Sequence, residues 1–305
     1  MNKINKIDKI NICNLEIKKS FFKDKINSLK NKNVGITEYK NKKYILKKEN
    51  SITDEYLFYK KFSKKIEKDC MQDYIQIPIK YKNCKINNKD TIYYLFKPLD
   101  KDYNKNLGVT KERMILNNKN IFGQLLLIVY YINHKLKFYH NDLFSIYKLP
   151  NKFFDFNNIM ISKNKYDKKE KNKKLIVDDL SIKIDKYICT IIDFEYYSKQ
   201  PSYRIKYFYS FFSNMYQYNF EYKSEMFILF IIYYMESFAS SRLYVIPILY
   251  NYFENIMISE WQKKNNIKNI NNINNIKKEG NKNLKDKKFK TKDFDKIIFK
   301  NYLNI

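Results

Sequence analysis

The sequence predicts an α+β protein in two lobes: a small β-rich lobe over residues 33–99 and a larger helical lobe over residues 100–261. Three observations predict this. From Val34 onward, "VGITEYKNKKYILKKE" alternates apolar and polar residues with the period of a half-buried strand. From Ile121 onward apolar residues recur at helical spacing, and Met226–Met235 is apolar without a break, as a buried helix would be. Between the two lies a polar stretch, Asp100 to Asn120, that reads as a linker. At 305 residues the chain is long enough to bury a real core.

Taken in order, residues 1–32 are rich in lysine and asparagine and read as a loose arm. The stretch from Val34 to Glu49 then reads as a hairpin around "NKK". "ITDEYLFYKKFSKKI" carries Tyr56, Tyr59, Phe62 and Ile66 at helical spacing, with Thr53 or Asp54 able to cap its start. "YIQIPIKYKNC" and "DTIYYLFKPLD" read as two further strands. Ile121, Leu125, Ile128, Val129, Ile132 and Leu136 give the next helix a wide apolar face. "RLYVIPILYNYFENIMISEW" is helical again, with a break expected at Pro247. Residues 262–305 collapse to asparagine, lysine and isoleucine, too little apolar surface to order fully. A short closing helix is expected in "DFDKIIFKNYLNI".

The formal net charge of +28 suggests a nucleic-acid binder, but the composition argues otherwise. Of 60 basic residues only Arg113, Arg204 and Arg242 are arginine, and Ala239 is the lone alanine. Such a bias towards Lys, Asn, Ile, Tyr and Phe is what AT-rich codons produce. It also removes arginine, the residue that makes the commonest specific base contacts. Contact with nucleic acid is therefore expected to be nonspecific. Cys13, Cys70, Cys84 and Cys189 are scattered without a C-x-x-C pair, which predicts no zinc site, no disulfide framework and a reducing compartment. No signal-peptide pattern opens the chain, and the longest apolar run is too short to span a bilayer. An intracellular, cytoplasmic protein with no membrane span is the expectation.

The chemistry sits in "FYHNDLFSIYKLPNKFFDFNNIMIS" (Phe138–Ser162) and "ICTIIDFEYY" (Ile188–Tyr197). The ordered set "YILK", a charged helix, "HND", "NNIMI" and an apolar strand ending in "DFE" resembles the protein kinases and their relatives. The match is to the divergent kinases of poxviruses and giant DNA viruses, with some likeness to choline and aminoglycoside kinases. It spans roughly residues 33–261. That resemblance implies an ATP-dependent phosphotransferase with Mg²⁺ or Mn²⁺ as cofactor, acting on serine or threonine of a protein substrate. A small-molecule acceptor, or a scaffold that keeps the fold without catalysis, are the alternatives. A viral source would put it in host cytoplasm or the virion.

Residue by residue, the resemblance makes Asp142 the catalytic aspartate and His140 the histidine that braces its loop. Lys47 would grip phosphate, with Glu55 as its ion-pair partner ahead of Glu38 or Glu49. Asn158 and Asp193 would hold the metal, and Glu195, standing where the family has glycine, would add a carboxylate. The departures are equally specific. With four glycines in the chain a glycine-rich phosphate loop is missing, and only Gly35 lies near its place. Asn141 replaces an arginine. The family's asparagine position holds Tyr147, so Ser145–Asp155 reads as an insertion looped out between Asp142 and Asn158.

Overall fold

The computed structural model describes residues 10–20, 33–86, 88–98, 111–143, 145–149, 152–156, 158–164, 173–201, 203–237, 245–264 and 290–304. They form a mixed α and β architecture in which an antiparallel five-stranded sheet precedes most of the helices. The strands are β1 (Lys19–Ser20), β2 (Val34–Tyr39), β3 (Lys42–Glu49), β4 (Lys80–Ile86) and β5 (Lys89–Phe96), in the order β1-β2-β3-β5-β4. β2 and β3 meet through a two-residue turn at Lys40 and Asn41, one residue ahead of the expected "NKK". Both turn residues are left-handed (φ 49° and 60°), the geometry that matches strand twist in a tight hairpin.

Helix α1 (Asp54–Lys68) follows β3. Thr53 caps it by accepting from the Tyr56 N–H, and Asp54 and Glu55 in its first turn favour the helix dipole. Its buried side is Glu55, Phe58, Tyr59, Phe62 and Ile66: three of the four aromatic and aliphatic positions read from the sequence are there, Tyr56 is only half-buried, and Phe58 and one carboxylate are added. After α2 (Lys111–Leu116), α3 (Lys119–Tyr131) is buried on every side from Ile121 to Tyr131. A π-helical turn (Ile132–Leu136) continues it and stops at Lys137, whose left-handed backbone (φ 62°) turns the chain into the polar loop.

Three short two-stranded ribbons follow that helix, two of them packed against it. β6 (Ser145–Leu149) and β7 (Lys152–Asp155) form a hairpin, as do β9 (Lys174–Val177) and β10 (Leu180–Lys183). β8 (Ile159–Lys163) pairs with β11 (Tyr187–Ile191). The buried Gln124 of α3 fixes this last ribbon: its amide donates to the Tyr187 carbonyl at 2.9 Å and accepts from the Cys189 N–H at 3.0 Å. α4 (Tyr203–Tyr216), α5 (Glu225–Ser237), α6 (Val245–Lys264) and α7 (Thr291–Asn304) complete the architecture. One continuous apolar core runs from α1 and β5 through α3, the β8–β11 ribbon and α5 to α7.

Several expectations need correction. α6 runs unbroken through Pro247, because proline in a first helical turn removes an N–H that has no partner there. Beyond residue 261 the expected closing helix is present as α7, but it is part of the core and not of a tail: it buries Phe294, Ile297, Ile298, Phe299 and Tyr302. The arm is not wholly loose either. Its Ile10 and Ile12 pack with Leu46, Tyr93 and Leu95 on the outer sheet face, and a disulfide joins Cys13 to Cys84. The cysteine spacing held no sign of this, since the partners are brought together by the arm lying back across β4 and β5. Cys70 and Cys189 are free, the first exposed and the second buried. Among the described residues no helix is long and apolar enough to cross a membrane.

Candidate functional site

Lys47 lies on the central strand β3, opposite Val34 of β2 and Tyr94 of β5. Its side chain is 17% exposed and its ammonium touches three carboxylates: Glu55 of α1, Glu49 Oε1 at 3.2 Å and Asp193 Oδ1 at 3.3 Å. Burial works against its charge, but Glu55, Asp193 and Glu49 together raise its pKa well above the ordinary lysine value. Both acidic candidates named for Lys47 on the strand and helix therefore meet it, while Glu38 pairs with Lys18 at 3.2 Å instead.

The two glutamates differ. Tyr94 donates its hydroxyl to Glu49 Oε2 at 2.7 Å and Thr53 donates to the same oxygen. Against the cost of burial, Lys47 and these two donors hold Glu49 below the usual carboxylate range. Glu55 accepts from Tyr59 Oη at 3.0 Å. Its burial is nearly complete, and burial, with Asp193 and Glu49 nearby, pushes its pKa up to about 8 against the pull of Lys47.

The second half of the site is the loop after α3 and the end of the β8–β11 ribbon. Ile159 pairs with Ile191, and the Ile192 N–H donates to the Asn158 carbonyl at 3.0 Å, so Asn158 and Asp193 leave the ribbon at the same end. Asn158 donates its side-chain amide to Asp142 twice, to the carbonyl at 2.8 Å and to Oδ2 at 2.9 Å. The sixteen-residue separation between them is bridged by the β6–β7 hairpin, so Ser145–Asp155 does loop out and the two polar groups meet at its base.

His140 is fully buried. Its Nε2–H donates to the Ile192 carbonyl at 3.0 Å, its ring lies 4.7 Å from that of Phe194, and burial pushes its pKa down to about 4. It is thus a neutral brace between the loop and the residue before Asp193. Phe194 in turn stacks flat on Phe58 of α1, centroids 4.0 Å apart. Loop, ribbon end and α1 are joined by this column of rings. Asp193 itself has a left-handed backbone (φ 59°), an uncommon conformation for a residue with a side chain.

Asn141, also left-handed (φ 68°), holds the segment beyond Phe194. Its amide donates towards the Tyr196 carbonyl (3.1 Å), Ser198 Oγ (3.2 Å) and the Gln200 carbonyl (3.3 Å). Tyr139 and Ser198 exchange two backbone hydrogen bonds alongside. Glu195 is exposed in the turn that begins this segment, and Gly35 is a buried mid-strand residue of β2 rather than a loop residue.

Glu225, first residue of α5, was missed by sequence reasoning. Its fully buried carboxylate faces the backbone N–H groups of Asn141 and His140 and the Asn133 side chain, too loosely aligned to complete a hydrogen bond with any of them. Burial pushes its pKa up to about 7. Its only signal in the sequence was a carboxylate at the border of an apolar run.

Chemically, the arrangement offers one cation, Lys47, beside Glu49, Glu55 and Asp193, with Asn158 and Asp193 leaving the β8–β11 ribbon at the same end. Asn158 spends its N–H groups on Asp142, which leaves Oδ1 as the atom with lone pairs to offer. Asp193, 39% exposed in its side chain, keeps one oxygen beyond the contact with Lys47. Among the described residues no cluster of three His, Cys, Asp or Glu is fit to hold a metal ion without help. A divalent cation would need the Asn158 amide oxygen and oxygens brought by a ligand. A cavity of about 370 Å³ lies elsewhere, between the end of α1, the exit of β5 and the far end of the β8–β11 ribbon, lined by Asp73, Ile77, Pro98, Lys163 and Ile188. No protein-family profile and no curated protein sequence matches the chain.

Proposed function

We propose that this chain is an ATP-dependent phosphotransferase with a two-lobed, protein-kinase-like fold, a divergent serine/threonine protein kinase. One observation carries the reading. The Lys47 ammonium sits between the Glu55 carboxylate of α1 and Asp193 at the ribbon end, so the sheet, the helix and the polar loop region converge on a single cation. Further support comes from the strand order with that lysine in the middle, and from Asn158 tied to Asp142 across an inserted hairpin.

In this reading Lys47 neutralises oxygens of the bound polyphosphate, and its carboxylate partners keep it charged and aimed. Asp142, oriented by Asn158, accepts the hydrogen bond of the acceptor hydroxyl and takes its proton as the oxygen bonds to the γ-phosphorus and ADP departs. Asn158 and Asp193 would hold Mg²⁺ or Mn²⁺, which supplies charge stabilisation of the phosphoryl oxygens. His140 stays neutral and structural. Most of the rate comes from positioning and fixed charge rather than covalent chemistry.

The test is γ-phosphate transfer from labelled ATP with Mg²⁺ or Mn²⁺, comparing wild type with Asp142→Asn. Casein and histones serve as protein acceptors, with choline and an aminoglycoside in parallel. Label on protein that falls at least a hundredfold in the variant is the expected result. Label confined to a small molecule would move the assignment to that class of kinase. Transfer equal in both proteins, or none in either, would overturn the role given to Asp142.

A further inference from the structure

A second buried polar cluster joins α7, the π-helical turn and the start of α5. Its centre is Asp295 of α7, fully buried in a helix whose neighbours are mostly apolar. His134 of the π-helical turn meets Asp295 Oδ2 through Nε2 at 2.6 Å, and Ser224 donates its hydroxyl to Oδ1. Both oxygens of a buried carboxylate are thus used, each by a different element.

Ser224 is held from several sides. Its Oγ accepts from the Phe227 N–H at 3.2 Å and so caps α5. Tyr209 of α4 clamps its backbone, donating to the carbonyl at 2.7 Å and accepting from the N–H at 2.9 Å. The next residue is Glu225, whose carboxylate faces the backbone of His140 and Asn141. Hydrogen bonds therefore run from Asp295 of α7 to His134 ahead of the loop and to Ser224 at the start of α5, and Glu225, next to Ser224, sits close to the His140–Asn141 backbone without a completed hydrogen bond to it. Packing alone does not require this, since an apolar residue at position 295 would suit the surrounding core better than a carboxylate.

We infer that Asp295 is a positioning residue for the transfer reaction: through His134 it fixes the π-helical turn that leads into the loop presenting Asp142, and through Ser224 it places the buried Glu225 carboxylate beside that loop. The C-terminal helix, some 150 residues beyond the loop, is then part of the machinery that aims the loop. This rests on the phosphotransferase reading above. The chain from Asp295 includes none of Lys47, Asn158 and Asp193, the residues this reading gives to the nucleotide and its metal, so the expected effect is on turnover and not on nucleotide affinity.

The experiment compares Asp295→Ala with Ile298→Ala, a neighbouring buried apolar truncation on the same helix that loosens its packing without touching the polar chain. Each variant is assayed at the same interval below its own melting temperature. Asp295→Ala is expected to lower kcat at least tenfold with the KM for ATP within twofold, while Ile298→Ala keeps kcat within twofold despite a comparable drop in Tm. Equal kcat losses in the two variants would reduce Asp295 to an ordinary structural residue.

Amide hydrogen exchange over residues 139–143 is measured in parallel and needs no activity. Faster exchange there in Asp295→Ala than in Ile298→Ala is expected, and unchanged protection would overturn the coupling. If wild type transfers no phosphate, the exchange result still decides the coupling, and only the reaction assigned to the site falls.

Discussion

Neutral His140 gives the fold a pH dependence that can be isolated. Its pKa is about 4 in the folded protein against an ordinary 6.5, because burial penalises the imidazolium. The unfolded chain takes up a proton as pH falls through 6.5, while the folded chain resists until about 4. The stabilising contribution is therefore complete above 6.5 and disappears as pH falls through that window. A shift of that size corresponds to about 3 kcal/mol in full, of which about 2 kcal/mol is gone by pH 5. His140→Phe keeps a ring against Phe194 but cannot titrate. Urea unfolding of both proteins at pH 8, 7, 6 and 5 gives two stability curves in which the other titrating groups are common. The variant starts lower, having lost the bond to Ile192, and the gap narrows by about 2 kcal/mol at pH 5. Curves that stay parallel to within about 0.5 kcal/mol would show that His140 is not held neutral and would refute the reasoning.

Two further outcomes follow from the sheet. Replacing Cys13 by serine opens a loop whose ends are 71 residues apart, a loss of up to about 4 kcal/mol in the chain-entropy limit. It is read as a lower Tm that reducing agent reproduces in wild type and does not lower further in the variant. Thr53→Val removes both the cap of α1 and a donor to Glu49, and is expected to cost about 1–2 kcal/mol in chemical denaturation. A change below about 0.5 kcal/mol would mean that Thr53 is idle at both places.

How much of this was legible in the residues depended on whether the information was local. Period-two alternation gave the β2–β3 hairpin, and the spacing of Tyr59, Phe62 and Ile66 gave the buried side of α1. Both are properties of a few consecutive side chains. The segment inserted between Asp142 and Asn158 was legible only through the resemblance, which places asparagine where Tyr147 stands; the hydrogen bonds from Asn158 to Asp142 were not legible. The contact of Glu49 with Lys47 was harder to weigh: residues two apart on a strand share a face, so lysine and glutamate at 47 and 49 were available to one another, yet Tyr94 and Thr53 decide that geometry from elsewhere. Glu225, Asp295 and the Cys13–Cys84 bond were not legible at all. Each owes its role to a tertiary contact between elements distant in sequence: the closing helix itself was expected, but its burial in the core was not.

The three carboxylates around Lys47 have a consequence for what the molecule touches. The chain as a whole carries +28, so its exterior attracts polyanions of every kind in dilute salt. The surroundings of Lys47 do the reverse. Even with the Glu55 carboxyl protonated, one ammonium faces Glu49 and Asp193, so a bare phosphate chain approaching it meets repulsion at the last few ångströms. Only a polyanion that arrives with its own counter-cation finds the balance of charge favourable. The same protein can thus attract RNA or acidic surfaces to its exterior and disfavour them beside Lys47, an electrostatic filter set by local sign against a global background of the opposite sign.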